Sequence, residues 1–371
     1  MLTSKERIHR IVRHEPVDRI GLFEVFWREA RERWTAEGHI ASPDDASDHF
    51  GLDLRRTGGE VTPSAWGLLN LVADIDFGER TVEEDASTKL IRNGNGAVLR
   101  WGKERGGTPE HVDFLVKNRR DWEERIRPLL VDPAHYERRI AFEKYRERLA
   151  ENAKKRTFLC STVLGAFDAM NALCGHETIL VGMATDPDWI VDMCGVYATI
   201  VVEMLEMLFG QEGLPDALWV WDDLGFKHRP FMSVGMYREL IMPAHKRVMD
   251  FARGKGLPVL LHTDGQNEPL IPLLIEAGVN ILQPIEVKAG MDLLKIKRKY
   301  GDQLTFVGGM DVLTLLSNDL DKVRRELEAK IPAVMEGGGY ILQVDHSCPA
   351  EVDYETYRFF VETGLKLGTY P

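Results

Sequence analysis

Trp219–Val220–Trp221–Asp222–Asp223–Leu224–Gly225 and Leu260–Leu261–His262–Thr263–Asp264–Gly265 share one pattern: a short, almost unbroken apolar run that ends abruptly in acids or an imidazole and then a glycine. Runs of this kind recur in both directions, at Arg19–Phe26, Phe158–Leu164, Ala217–Trp221, Pro258–Leu261, Val279–Gln283, Leu304–Val307 and Tyr340–Val344. Their inner residues are mostly β-branched, aromatic or leucine, and they do not alternate with polar ones. A strand reads that way when both of its faces are buried, as in a parallel sheet covered by helices. Helical stretches lie between the runs. Ser233–Gly254 carries Met236, Leu240, Ile241, His245, Val248 and Met249 at three-to-four spacing behind Ser233 as N-cap. Asn318–Glu336 carries Leu320, Val323, Leu327, Ile331 and Val334, with Gly337 as its stop.

Regular alternation of strand and helix implies right-handed crossovers and a parallel sheet, either open or closed into a barrel. No GxGxxG opens any of the helices, which removes the commonest reason to choose the open form. Seven clear runs and a weaker one near Phe50–Arg55 approach eight, so the expected fold is an α/β (β/α)8 TIM-type barrel, with 1–371 as a single domain. The stretch 57–117 breaks the rhythm. Thr88–Arg92, Asn93–Gly94–Asn95–Gly96 and Ala97–Trp101 read as a β-hairpin, and a polar loop, Lys103–Pro109, leads into strand-like His111–Val116. This stretch is expected to be an insertion after the second strand that caps one mouth of the barrel.

Composition narrows the function. With 47 Lys and Arg against 59 Asp and Glu the formal net charge is −12, and such a surface repels nucleic acid. No run approaches the roughly 18 apolar residues of a membrane span, and Met1–Lys5 opens with charge instead of an apolar leader. Cys160, Cys174, Cys194 and Cys348 lie far apart and form no CxxC, as reduced thiols of a cytoplasmic protein would. The expectation is a cytoplasmic enzyme acting on a small molecule, with no membrane or nucleic-acid partner.

In parallel barrels the reactive groups gather at the carboxyl ends of the strands. Five consecutive runs deliver polar groups there: Asp222–Asp223, His262–Thr263–Asp264, Gln283–Pro284–Ile285–Glu286, Gly308–Gly309–Met310–Asp311 and Asp345–His346–Ser347–Cys348. His262 and Asp264, two residues apart in extended chain, point to the same side and can share a cation. With His346 or Cys348 they make a three-ligand site that leaves a position open, as catalytic zinc is held. The bland alternative is a hydrogen bond between them that staples a loop. Of Asp222 and Asp223, one reads as a helix cap and the other as a cavity acid that supports the metal histidine; Glu286 has the same two readings. Gly308–Gly309 either permits a tight turn or lets backbone approach a ligand closely. Cys160, Cys174 and Cys194 read as small core residues.

Several of these segments resemble the uroporphyrinogen decarboxylase superfamily: Ser4–Lys5–Glu6–Arg7 through His14–Glu15–Pro16–Val17–Asp18–Arg19–Ile20, then Asp222–Gly225 with Met236–Tyr237–Arg238, His262–Gly265, Gly308–Asp311 and Gly337–Tyr340. The resemblance implies a (β/α)8 barrel. True decarboxylases carry an N-terminal Arg-Gln-Ala-Gly-Arg segment, where this chain has Gly21–Leu22–Phe23–Glu24–Val25–Phe26–Trp27–Arg28. The chain is more similar to the branch of methylcobalamin:coenzyme M and related corrinoid-dependent methyltransferases, whose zinc is held by His-x-Cys and a later Cys. His262 matches that histidine, Asp264 stands at the first cysteine, and His346 falls at the second, with Cys348 two residues on. Two histidines and a carboxylate suit zinc or another divalent transition metal such as Fe(II) or Mn(II).

The resemblance thus implies a metal-dependent methyltransferase, or a demethylase half-reaction, moving a methyl group between a corrinoid and a small thiol or ether. His262, Asp264, His346 and Cys348 are the expected metal ligands, and Asp223 and Glu286 orient groups or handle protons. Gly308, Gly309 and Asp311 face the methylcobalamin carrier, which a separate corrinoid protein presents. The alternative is a metal-independent decarboxylase of a porphyrinogen or other polycarboxylate, relying on arginines such as Arg28, Arg55 or Arg56.

Overall fold

The computed structural model describes residues 2–58, 67–103 and 109–371. Twelve strands appear among them in chain order: β1 (Gly21–Leu22), β2 (Leu54–Arg56), β3 (Arg80–Glu84), β4 (Thr88–Arg92), β5 (Val98–Gly102), β6 (Glu110–Asp113), β7 (Phe158–Leu164), β8 (Ala217–Trp221), β9 (Val259–His262), β10 (Ile281–Gln283), β11 (Thr305–Val307) and β12 (Tyr340–Leu342). Eight of them form one parallel sheet in the order β1-β12-β11-β10-β9-β8-β7-β2. The two end strands meet through Asp53, whose N–H donates to Leu22 O (2.9 Å) and whose carboxylate accepts from Leu22 N (2.9 Å). The sheet therefore curls into the expected barrel, and all seven clear runs and the weak one become its strands.

Each of the eight barrel strands, or for β1 the residue just after it, sends a side chain inward. Phe23, Leu54, Cys160, Trp219, Leu260, Ile281, Val307 and Ile341 form one buried cluster in the lumen. Ile8 and Ile11 join it from the helix Ser4–Val12, which stops the amino-terminal end of the barrel. That helix starts with a capping box in which the Thr3 hydroxyl accepts from Glu6 N and Glu6 accepts from Thr3 N. A second, larger core lies between barrel and outer helices. Burying a large apolar side chain in either is worth about 1.5–3 kcal/mol.

Three helices depart from the sequence expectation in instructive ways. The span expected at Ser233–Gly254 begins as predicted, with Ser233 Oγ accepting from Met236 N (3.1 Å), but widens into a π turn at Tyr237–Ile241 before continuing as Met242–Gly254. Pro243 has no N–H to give the carbonyl four residues earlier, and the ladder loosens just ahead of it. The span expected at Asn318–Glu336 is helical over Leu320–Val334, capped by Asp319. Pro187–Glu212 is long and apolar enough, by length and composition, to cross a membrane, which no run was expected to be; its apolar residues are instead largely buried against the helices Ala166–Thr185 and Met242–Gly254.

Between β2 and β7 the chain forms a four-stranded antiparallel sheet in the order β3-β4-β5-β6. Of the expected insertion 57–117, residues 59–66 and 104–108 lie outside the described residues, and with them most of the polar loop Lys103–Pro109. The β4–β5 turn reaches the helix Ala166–Thr185, where Asn95 Nδ2 donates to Ala172 O (3.4 Å). Phe114, just past β6, sits in a notch of the same helix: Gly175 takes φ 77, and a Cβ there would lie 2.6 Å from the Phe114 ring. Only glycine accommodates both that backbone and that ring.

Candidate metal centre

β8 hands over two adjacent aspartates with opposite duties. Asp222 is fully buried, accepts from Asp168 N (2.7 Å) and Phe167 N (3.3 Å) at the start of the helix Ala166–Thr185, and takes a 2.6 Å hydrogen bond from His245 Nε2. The Tyr237 hydroxyl holds His245 Nδ1 at 2.9 Å. A carboxylate at a helix N-terminus is favourably placed, and a Cβ at Gly165 would lie only 2.3 Å from its carboxyl carbon. Asp222 is thus the cap, and Asp223 the acid that faces the mouth. Asp223 Oδ1 accepts from Asp264 N (2.9 Å), and its own N–H donates to Asp168 Oδ2 (3.2 Å).

His262 ends β9, and its Nδ1 lies 2.5 Å from Gln283 Oε1 at the end of β10. The direction of that bond is set by its surroundings. Val25 N donates to Glu24 Oε1 (2.9 Å), Gln343 Nε2 reaches the same oxygen (3.4 Å), and Gln283 Nε2 donates to Gln343 Oε1 (3.0 Å). Each amide is thereby oriented, Gln283 offers its carbonyl, and His262 Nδ1 carries the proton. Nε2 is left with a free lone pair. It is buried, has no hydrogen-bond partner among the described residues, and looks at Asp223 Oδ1 (3.5 Å) and Asp264 Oδ2 (3.9 Å).

Asp223, His262 and Asp264 offer ligand atoms all within 4.8 Å of one another. Burial and the neighbouring Asp223 push Asp264 up to about 8, and burial with Asp223 and Asp222 pushes Asp168 well above the usual carboxylate range. Burial draws His262 below the ordinary imidazole value. Several carboxyl groups and an imidazole nitrogen converge here, and among the described residues Asp264 Oδ1 is another buried atom with no hydrogen-bond partner. A divalent ion fits this donor set. It would occupy the lone pair, neutralise the crowded acids and meet a histidine already in the ligating tautomer.

A family model described as uroporphyrinogen decarboxylase (URO-D) matches residues 106–366. The chain belongs to the uroporphyrinogen decarboxylase family. No curated protein matches its sequence. Among solved structures, a methyltransferase from Methanosarcina mazei superposes with a TM-score of 0.69 at 16% identity, covering 98% of each chain. A β-glycosidase from Thermosphaera aggregans reaches 0.40 at 12% identity (96% of this chain, 97% of that one). A β-mannanase from Bacteroides ovatus reaches 0.36 at 11% (62% and 73%). The matched span holds the strand ends from β7 to β12; the Ser4–Arg7 and His14–Ile20 segments that resemble the uroporphyrinogen decarboxylase family precede it.

Within this member of the uroporphyrinogen decarboxylase family the other expected residues are distributed as follows. His346 stands at the rim, its Nε2 4.0 Å from Asp264 Oδ2, beside the three-residue group and not inside it. Cys348 takes no place in the group: it is fully buried, pairs its backbone with Val25 and Trp27, and burial raises its thiol well above the ordinary value. Glu286 Oε2 accepts from Gly265 N (2.6 Å), bracing the turn that carries Asp264, and its Oε1 lies 3.4 Å from Lys288 Nζ.

Gly308 (φ 98) and Gly309 (φ 82) make a tight turn packed by the chain itself. Tyr340 donates to Gly308 O (3.0 Å), Lys330 Nζ to Gly309 O (2.8 Å), and a Cβ at Gly309 would lie 2.8 Å from Leu293. Asp311 caps the helix Val312–Leu316 by accepting from Leu313 N (2.9 Å). Of the arginines, Arg28 is exposed beside Glu32 and Arg55 pairs with Asp48, while Arg56 alone turns its guanidinium towards the lumen.

Sequence reasoning missed Asp168, Gln343 and Glu24, and it named Gln283 and Asp345 as strand-end polar groups without giving them a role; the buried Asp345 carboxylate (pushed up to about 6 by burial) accepts from Val287 N and Val312 N, both at 2.8 Å. Asp168 lies in the first turn of the helix that follows β7, where no strand-end pattern marks it.

Proposed function

We propose that this chain is a metal-dependent methyltransferase, or a demethylase acting in the same sense, that moves a methyl group between a corrinoid and a small thiol, ether or similar substrate. Asp223, His262 and Asp264 hold the divalent ion, with His346 at the rim. One observation supports the reading above all others: the buried Nε2 of His262 faces the carboxyl groups of Asp223 and Asp264 and, among the described residues, has no hydrogen-bond partner. The nitrogen and oxygen ligands suit zinc, and equally Fe(II) or Mn(II). Bound there, such an ion would supply Lewis acidity, holding a thiol as thiolate or polarising an ether oxygen.

The chain's own residues do the positioning. Gln283 keeps the His262 proton on Nδ1, Asp168 and Glu286 fix the loops that carry Asp223 and Asp264, and Trp221, whose ring centroid lies 3.5 Å from that of His262, covers one flank. The methyl carrier is proposed as a separate corrinoid protein, since the Gly308–Asp311 turn is filled from within. Protein purified without chelator is expected to carry about one transition metal per chain and to accept or donate methyl groups with methylcobalamin as partner. His262→Ala should lose both while keeping its circular dichroism and melting behaviour. Wild-type protein without metal, or turnover that survives EDTA, would overturn the reading and favour the metal-independent decarboxylase.

A further inference from the structure

Leu54 points into the lumen, so Arg56, two residues on along β2, lies on the same face one step nearer the mouth. Its guanidinium carbon sits 5.4 Å from the ring centre of Trp219 and 5.6 Å from that of Trp221. Among the described residues no acid lies within ion-pair distance of it. Its neighbours behave differently: Arg55 is matched to Asp48 (2.6 Å), and Arg7 and Arg19 both reach Asp53. Burial draws Arg56 down to about 10, which leaves it cationic at neutral pH.

Two further polar groups face the same lumen from β7 and β8. On β7, Thr162 follows Cys160 by two residues and so shares its inward face; in the register of the sheet it stands opposite Trp219 of β8. The Thr162 hydroxyl and the Trp219 indole N–H are both buried, and among the described residues neither has a hydrogen-bond partner. A charged fork, a hydroxyl and an indole N–H with no acceptor are what an anionic oxygen group satisfies: it brings several lone pairs and a matching charge. Trp221 separates this cluster from His262 by a single ring.

We propose that Arg56, Thr162 and Trp219 form an oxyanion-binding subsite in the lumen, and that the substrate carries a carboxylate or comparable anionic group that docks there. The proposal extends the function proposed above by stating the substrate's charge and where that charge sits. Its test needs no methyl transfer. Acetate, benzoate and inorganic phosphate are titrated calorimetrically into the protein as purified, beside the neutral acetamide and benzamide.

At least one anion should bind ten-fold or more tightly than its neutral counterpart. Arg56→Gln should weaken that anion at least ten-fold while leaving metal content unchanged, and Arg56→Lys should retain part of the affinity. Thr162→Val should weaken it several-fold, which keeps the idea testable if Arg56→Gln does not fold. His262→Ala should leave anion affinity intact. Three anions that bind no better than the amides, or an affinity that falls in His262→Ala and not in Arg56→Gln, would overturn the subsite. Failure of anion binding with metal and methyl transfer intact would leave the metal reading standing, and the converse result would leave the subsite standing.

Discussion

The two ends of the barrel bury charge in opposite ways. At the amino-terminal end Asp53 is surrounded by donors: Arg7 Nη1 (2.8 Å), Arg19 Nη1 (2.7 Å), Ser4 Oγ (2.7 Å) and Leu22 N (2.9 Å) all point at one carboxylate. At the carboxyl-terminal end His262 Nε2 and Asp264 Oδ1 have no hydrogen-bond partner among the described residues, and Asp168, Asp223 and Asp264 crowd together. One end uses its charges to close the molecule. The other leaves its charges incomplete, and incompleteness in a well-packed lumen indicates that something from outside finishes the arrangement.

That contrast breaks most readily at Asp53. Asp53→Ala leaves the buried Arg7 with Asp18 as its one carboxylate and takes the carboxylate from the half-buried Arg19, and should destabilise the protein by about 3 kcal/mol in urea denaturation. A loss below about 1 kcal/mol would show that the closed end is not held by its charges. A smaller effect is expected at the mouth, where Gln283→Leu frees the His262 tautomer; metal affinity should fall about 10–100-fold, read by competition with a chromophoric chelator, while the melting temperature of the metal-free protein hardly moves. Unchanged affinity would remove Gln283 from the positioning role.

The smallest effect sharpens the comparison through pH. Asp264 ionises near 8 in the folded protein and near 3.8 ordinarily, so between these values the folded state holds a proton that the unfolded state has released. Its contribution to stability is therefore full below about pH 4 and is lost as pH rises towards 8. EDTA-treated protein should melt at progressively lower temperature over that window, and Asp264→Asn should flatten the decline. An equally steep decline in the variant would place the unfavourable charge elsewhere.

Much of the architecture was legible because strands buried on both faces must be apolar throughout, which marks Phe158–Leu164 and Ala217–Trp221 even without alternation. His262 and Asp264 were legible because HxD at a strand end puts both side chains on one side, and the division of labour between Asp222 and Asp223 could be framed in advance as cap against cavity acid. Asp223's place within the ligand group, ahead of His346 and Cys348, was not legible: it depends on how β8 and β9 lie side by side, and Trp221↔His262 register is a tertiary fact. Gln283 was legible as the polar end of an apolar run, but its role appears only when His262 stands opposite it. Arg56 was named beside Arg28 and Arg55, but nothing singled it out as the one facing the lumen, since the weak run near Phe50–Arg55 stopped just short of the strand's last position.

The contact between Trp221 and His262 gives the molecule a built-in optical reporter. An indole ring lying against an imidazole emits differently when that imidazole is neutral, protonated or holding an ion, so filling the mouth should change the ultraviolet emission of the protein without any added label. Because Arg56 rests on the same indole, the two occupants foreseen here, a cation on one side and an anion on the other, would be read out by a single ring.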